Sequence, residues 1–208
     1  MDEIPLFPLG RALFPDGVLH LRIFEIRYLD MIRRCIAEGS EFGVVGLLEG
    51  REVRSPQGVE TLATAGTMAR IDAWHAPMPT LLHVRCVGTA PFELLSSRQE
   101  KYGLWVGRTA PLAADAPATL PAALRPSADA LGRLIANMQK EEIPAAAMPL
   151  APPFRLDECG WVADRWAELL PLTALQRQNL LKMRDPAQRL ERVQDYIRLH
   201  GLLGPQGS

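Results

Sequence analysis

The apolar positions change their period at Phe24. Upstream of it, Ile4, Leu6, Phe7, Leu9, Leu13 and Phe14 lie among Pro5, Pro8 and Pro15. A helix does not tolerate that spacing, because proline lacks the backbone N–H and clashes with the preceding turn. The passage predicts an extended edge strand and then a turn at Pro15-Asp16-Gly17. From Phe24 onward, Phe24, Tyr28, Met31, Ile32, Cys35 and Ile36 recur at helical spacing, while Glu25, Arg27, Arg33 and Arg34 fall on other faces. Gly39 stands where a left-handed C-terminal cap is expected.

Beyond that helix the period shortens to two. Phe42 to Leu48 is a short apolar run interrupted by Gly43 and Gly46, which favours a buried strand. Glu52-Val53-Arg54 and Val59 to Leu62 flank Ser55-Pro56-Gln57-Gly58 and predict a hairpin. In Leu81 to Val87 the alternation puts Leu82, Val84 and Cys86 on a core face and His83 and Arg85 on a wetter one. Further strands are expected around Pro91 to Leu95 and Tyr102 to Arg108. About six short strands interrupted early by one helix suggest a barrel-like mixed sheet.

The composition shifts at Ala110 to Pro126, which holds four prolines and seven alanines and no aromatic residue, the character of a linker. Ser127 is placed to cap a helix carrying Leu131, Leu134, Ile135 and Met138, stopped by Pro144. A second proline-alanine stretch, Pro144 to Pro153, reads as an exposed loop. Three helices with clear punctuation follow. One starts at Asp157, carries Trp161, Val162, Trp166, Leu169 and Leu170, and ends at Pro171. A second opens on a T-x-x-Q capping box at Thr173 and Gln176, and a third on Asp185-Pro186 and runs to Gly201. Trp161 and Trp166 are five apart and diverge by about 140° on a helix, so they cannot face one neighbour.

Several of these pieces carry a resemblance. Pro5-Leu6 and Phe14-Pro15-Gly17, ahead of Ile23-Phe24-Glu25-x-Arg27-Tyr28, resemble the opening of the Lon protease N-terminal domain, also called the Lon substrate-binding domain. Ala65-Gly66-Thr67-Met68-Ala69-Arg70-Ile71 resembles its G-T-x-A-x-I strand. Leu169-Leu170-Pro171-Leu172, Gln178-Asn179-Leu180-Leu181 and Arg189-Leu190 resemble its C-terminal helices. His20 and Ile26 stand where the family often has proline, so an earlier helix start is expected here. The resemblance implies an α+β fold: a PUA-like mixed β-barrel subdomain with an inserted helix, then a C-terminal helical bundle. The expected boundaries are 1–112 for the barrel, 113–126 for the linker, 127–203 for the helices and 204–208 for a flexible tail.

Composition narrows the chemistry. The chain has 208 residues, is 48% hydrophobic and carries a net charge of −1, and of its 23 basic residues all but Lys101, Lys140 and Lys182 are arginine. Near-neutral charge argues against indiscriminate binding to phosphate backbones. No glycine is followed by lysine, so the G-x-x-x-x-G-K-[ST] phosphate loop is not in this sequence. The three lysines sit in charged or amphipathic settings, which disfavours a serine-lysine peptidase dyad. Nor is there a G-x-S-x-G elbow. Cys35, Cys86 and Cys159 are far apart, and His20, His75, His83 and His200 share no metal spacing with them; His75 is expected in a loop and His83 in a strand. No cofactor or metal is expected. The acidic start Met1-Asp2-Glu3 and the lack of an 18-residue apolar run predict a cytoplasmic chain with no membrane segment.

The expectation for function is therefore a stand-alone, non-catalytic module that recognises unfolded or apolar polypeptide segments or acts as an adaptor, alone or beside a separate protease. The candidate peptide-binding residues are Leu6, Phe7, Leu9, Leu13, Phe14, Glu25, Arg27 and Tyr28. Five large apolar side chains are not expected to point inward from one strand, so either some remain exposed and accept an extended peptide by strand addition, or the helical half covers them. Likewise Phe24-Glu25-x-Arg27-Tyr28 either joins a recognition surface or fastens the helix start to the strands. The alternative is RNA binding by the barrel, through an arginine face of Arg51, Arg54, Arg70, Arg85 and Arg108.

Overall fold

In the computed structural model, residues 3–50, 60–144 and 148–201 are described. The hairpin expected around Ser55 to Gly58 and the tail from 204 lie outside them. Strands β1 (Glu3–Leu9), β2 (Val18–Ile23), β3 (Phe42–Glu49), β4 (Thr61–Met78), β5 (Leu81–Gln99) and β6 (Trp105–Pro111) form one mixed sheet in the order β2-β5-β4-β3-β1-β6, with β6 also paired to β5. Helix α1 (Ile26–Glu38) is inserted between β2 and β3. It supplies the long crossover that the parallel β1–β3 pair requires; every other pairing is antiparallel. With α2 (Arg125–Lys140), α3 (Cys159–Leu169), α4 (Ala174–Lys182) and α5 (Pro186–Leu199) the fold is α+β.

The chain forms two compact units. The first runs up to Ala114 and takes in Leu172–Lys182; the second comprises Asp115–Pro171 and the chain from Met183 on. Helix α4, grouped by sequence with the helical half, instead packs on β3 and β4. Its local signals are indifferent to that choice: the capping box forms as read, with Thr173 N–H donating to Gln176 Oε1 at 2.8 Å and Gln176 N–H to Thr173 Oγ at 3.2 Å. The partner is fixed by long-range contacts, among them Thr64 N–H donating to Gln178 Oε1 at 2.6 Å.

Within the first unit the sheet is apolar on both faces. One face, with Leu9, Leu13, Leu21, Ile23, Leu82 and Cys86, packs under Tyr28, Leu29, Met31 and Ile32 of α1. The other gathers Leu6, Val45, Ala63 and Phe92, with Ile4, Leu94 and Trp105 against them. Helix α1 ends as expected, on Gly39 with φ 64°. Its start differs from the apolar spacing. Glu25 is an extended N-cap (φ −73°, ψ 131°), and Phe24, counted in the helical stripe, lies ahead of it and is 57% exposed. Pairing of β2 with β5 through Ile23–Leu82 holds the backbone extended until that point.

In the second unit α3 packs against α5. Both tryptophans of α3 are buried: Trp161 lies edge-on to Phe154, and Trp166 donates its indole N–H to the Ser127 carbonyl at 2.9 Å. Ser127, expected as an N-cap, is instead a fully buried residue of the first turn of α2, its hydroxyl donating to Gln194 Oε1 at 2.8 Å. Proline in the first turn lets the helix start at Arg125, ahead of the serine. The Asp185 cap of α5 forms as read, accepting from the N–H groups of Ala187 and Gln188. The 113–126 stretch is not bare: it holds a short 3-10 turn, Ala122–Leu124, and an isolated bridge from Thr119 to Glu158.

Candidate functional site

The eight residues singled out by sequence do not form an open surface. Leu6, Phe7, Leu9, Leu13 and Phe14 are all in the core, from 0 to 8% exposed. β1 is also not an edge strand, and the reason it carries two prolines lies in its staggered neighbours. β6 pairs with Glu3 to Leu6 and β3 with Leu6 to Leu9, so Pro5 and Pro8 each have a strand on one side only. With both faces of the sheet covered, alternation sends Leu6 to one apolar layer and Phe7 and Leu9 to the other.

Arg27 and Tyr28 are buried too. The Arg27 guanidinium donates to the Gly103 carbonyl at 2.8 Å and to the Glu25 carboxylate at 3.1 Å, and lies 4.5 Å from the Tyr28 ring centroid. Tyr28 stacks on Phe7 with centroids 4.2 Å apart. This chain of contacts ties the start of α1 to β1 and to the turn at Lys101–Gly103. Of the eight, Glu25 alone keeps partial exposure.

What the first unit does expose is an overhanging wing. β4 pairs with β3 only as far as Ala69, while it continues with β5 to Met78. Among the described residues, no strand other than β5 pairs with β4 from Arg70 to Met78. That leaves a free strand edge, and all of it but Ile71 is exposed, with Trp74 and Met78 each at 54%. Register shifts at Ile71/Ala73 and His75/Met78 bend the edge, which restrains edge-to-edge aggregation. Cross-strand partners share a face. Trp74 opposite Val84 and Ile71 opposite Cys86 therefore lie on the α1 side of the wing. Arg70, Ala73, His75 and Met78, opposite Val87, Arg85, His83 and Leu81, lie on the other side. On that side Arg22 of β2 continues the row of His83 and His75, and His20 that of Arg85. The imidazoles of His75 and His83 are 6.5 Å apart, edge to face. His75 is thus a strand residue, not a loop residue.

Sequence reading missed this edge because Asp72-Ala73-Trp74-His75-Ala76-Pro77 shows no apolar alternation. A strand that overhangs its core has no buried face to write one. The signal available was Pro77-x-Pro79 between two extended runs, which marks the turn at Pro79 and Thr80. Of the expected arginine face, Arg70 and Arg85 lie on the same side of the wing, with Arg85 ion-paired to Asp72. Arg108 lies on β6, and Arg51 and Arg54 fall outside the described residues.

Beneath α4 the first unit has little free space. The gap between α4 and the β3–β4 strands, lined by Gly10, Ala12, Gly46, Ala63, Ala174 and Gln178, holds about 10 Å³, room for one water at most. Among the described residues no group of three or more histidine, cysteine or acidic side chains is placed to hold a metal. All three cysteines are buried and free. Burial raises the pKa of Cys35 and Cys159 and pushes Cys86 up to about 12. Thiols held protonated in this way are poor nucleophiles. Native protein at pH 7.5 is accordingly expected to leave all three unlabelled by a thiol-disulfide reagent over minutes, whereas denaturant exposes three; rapid labelling of any one without denaturant contradicts that burial. No helix among the described residues is long and apolar enough to cross a membrane.

Comparison with known proteins places this geometry in a family. Residues 3–198 match the family model described as ATP-dependent protease La (LON) substrate-binding domain. Among solved structures, the Lon N-terminal domain protein from Xanthomonas campestris is 32% identical, with a TM-score of 0.71 over 94% of this chain and 99% of that one. The N-terminal domain of the Mycobacterium avium complex Lon protease, at 15% identity, shares the fold with a TM-score of 0.60 over 96% of this chain and 100% of that one. No curated protein matches.

Proposed function

The chain belongs to the family of the Lon (protease La) substrate-binding domain, and from that premise we propose that it is a non-catalytic module that captures extended, apolar polypeptide segments by strand addition to the open edge of β4. Family membership supports substrate binding in general. The observation that carries the finer reading is the run Arg70 to Met78, paired to β5 on one edge and among the described residues to no strand on the other, with Trp74 and Met78 exposed along it. A free edge offers backbone donors and acceptors to any extended chain, irrespective of sequence, and exposed apolar side chains beside it add grip. That combination suits ligands that are unfolded rather than ligands of one shape. It is the same mode expected of β1, moved to the strand that is open.

The test uses a reduced and alkylated, permanently unfolded polypeptide bearing a fluorophore, with binding read by anisotropy. Wild type binds, Trp74→Ser and Met78→Ser together weaken binding about tenfold or more, and Leu199→Ser, at an exposed apolar position on α5, leaves it unchanged. A double variant that binds as tightly as wild type overturns the reading.

A further inference from the structure

We infer that the β4 edge selects segments in which apolar residues alternate with aspartate or glutamate. The inference rests on the strand-addition reading above and names the substrate class for that site. A strand laid along β4 sends its successive side chains to opposite faces of the wing. The two faces differ in chemistry. On the α1 side the edge presents Ile71 and Trp74, both apolar; on the other it presents Arg70, His75 and Met78, with Arg22 in the row of His75 two strands in.

The charge balance of the wing sharpens the contrast. Val18 to Phe24 and Arg70 to Arg85 together hold Arg22, Arg70 and Arg85 against a single carboxylate, Asp72, and three of the chain's four histidines, His20, His75 and His83. Asp72 and Arg85 pair with each other, which leaves Arg22 and Arg70 as the excess. The chain as a whole carries a net charge of −1, so this excess of cations is a local feature and not a reflection of composition. A ligand alternating apolar and acidic residues sets its apolar side chains beside Ile71 and Trp74 and its carboxylates beside Arg70 and His75. A ligand alternating apolar and basic residues meets like charge at Arg70. Cross-strand charge pairs of this kind are individually weak, and two or three together amount to about tenfold discrimination.

Three fluorescein-labelled ten-residue peptides test this on the full chain: valine alternating with glutamate, valine alternating with lysine, and the glutamate peptide N-methylated at every amide, so that neither edge keeps a donor. The glutamate peptide is expected to bind about tenfold tighter than the lysine peptide at low salt, with the gap closing as salt screens the pairs. Arg70→Glu abolishes or inverts the preference, and N-methylation abolishes binding because it removes the donors a ladder needs. Equal binding of the glutamate and lysine peptides by wild type overturns the charge selection while leaving strand addition standing. Unimpaired binding of the N-methylated peptide overturns strand addition itself, and no binding by any of them overturns both. Displacement of the glutamate peptide by a short uridine oligonucleotide that binds more tightly assigns the cationic face to nucleic acid and overturns the inference.

Discussion

Phe14→Asp is expected to unfold the strand-rich unit, not to blunt a binding surface. Phe14 is 0% exposed, so the substitution removes an aromatic side chain from a packed core and buries a carboxyl in its place. Truncating a buried phenylalanine costs about 3–5 kcal/mol, and an unpaired buried polar group adds about 1–3 kcal/mol. The sum rivals the whole stability of an ordinary domain, about 5–15 kcal/mol. The backbone around the site leaves no slack for relief. Asp16 N–H donates to the Gly88 carbonyl and Gly88 N–H to the Gly17 carbonyl, both at 2.9 Å, and Thr67 Oγ donates to the Leu13 carbonyl at 2.7 Å. A Cβ at Gly88 would overlap the Phe14 carbonyl oxygen, so the turn and β5 are in direct backbone contact. Circular dichroism and urea unfolding decide the matter. A Phe14→Asp protein with a wild-type spectrum and midpoint would place that side chain on the surface, against the structure.

The contrast with Trp74 shows which parts of this molecule were legible in the sequence. Locally determined features read through: the left-handed Gly39 cap, the Thr173–Gln176 box, the Asp185 cap and the Leu82-Val84-Cys86 face all appear where spacing put them. Each is decided by residues within one turn or one strand of itself. Features decided by distant pairing did not. Two prolines made β1 look like an edge, yet its two neighbours overlap only at Leu6 and leave each proline an open side. The five apolar residues that seemed too many for one face are shared between two. Conversely the real edge is on a strand whose exposed stretch has no apolar period to announce it. Family resemblance was carried by the core residues of the β1–α1 passage, which hold the fold, and so pointed away from the surface where a ligand can reach.

The second large effect belongs to the helical unit and follows from one guanidinium serving two carboxylates. Arg189 of α5 is 2% exposed and bonds Asp164 of α3 at 2.7 Å and Asp115 at 2.5 Å. Desolvation by burial outweighs the attraction of Arg189 and Arg165 and raises the pKa of Asp164 from its ordinary 3.8 to about 6. Because the folded value lies above the unfolded one, the contribution of Asp164 to stability is full below about pH 4 and is lost as pH rises through about 6. A rise of that size corresponds to about 3 kcal/mol. The stability difference between wild type and Asp164→Asn, measured by urea unfolding, should therefore move against wild type by that order between pH 4 and pH 7.5; a flat difference refutes the buried titration. Arg189→Ala separates the pair from the burial. At pH 8 it leaves the buried carboxylate with only the weaker attraction of Arg165 and is expected to cost about 3–5 kcal/mol. At pH 4.5 Asp164 is protonated and needs no counter-ion, so the penalty should fall to less than half. Combining Arg189→Met with Asp164→Leu removes both charges at once, and the double variant should recover most of the stability that Arg189→Ala loses at pH 8. Equal penalties for Arg189→Ala at the two pH values would mean that the charge of Asp164 is not what the guanidinium serves, and would assign its role to Asp115 and to packing.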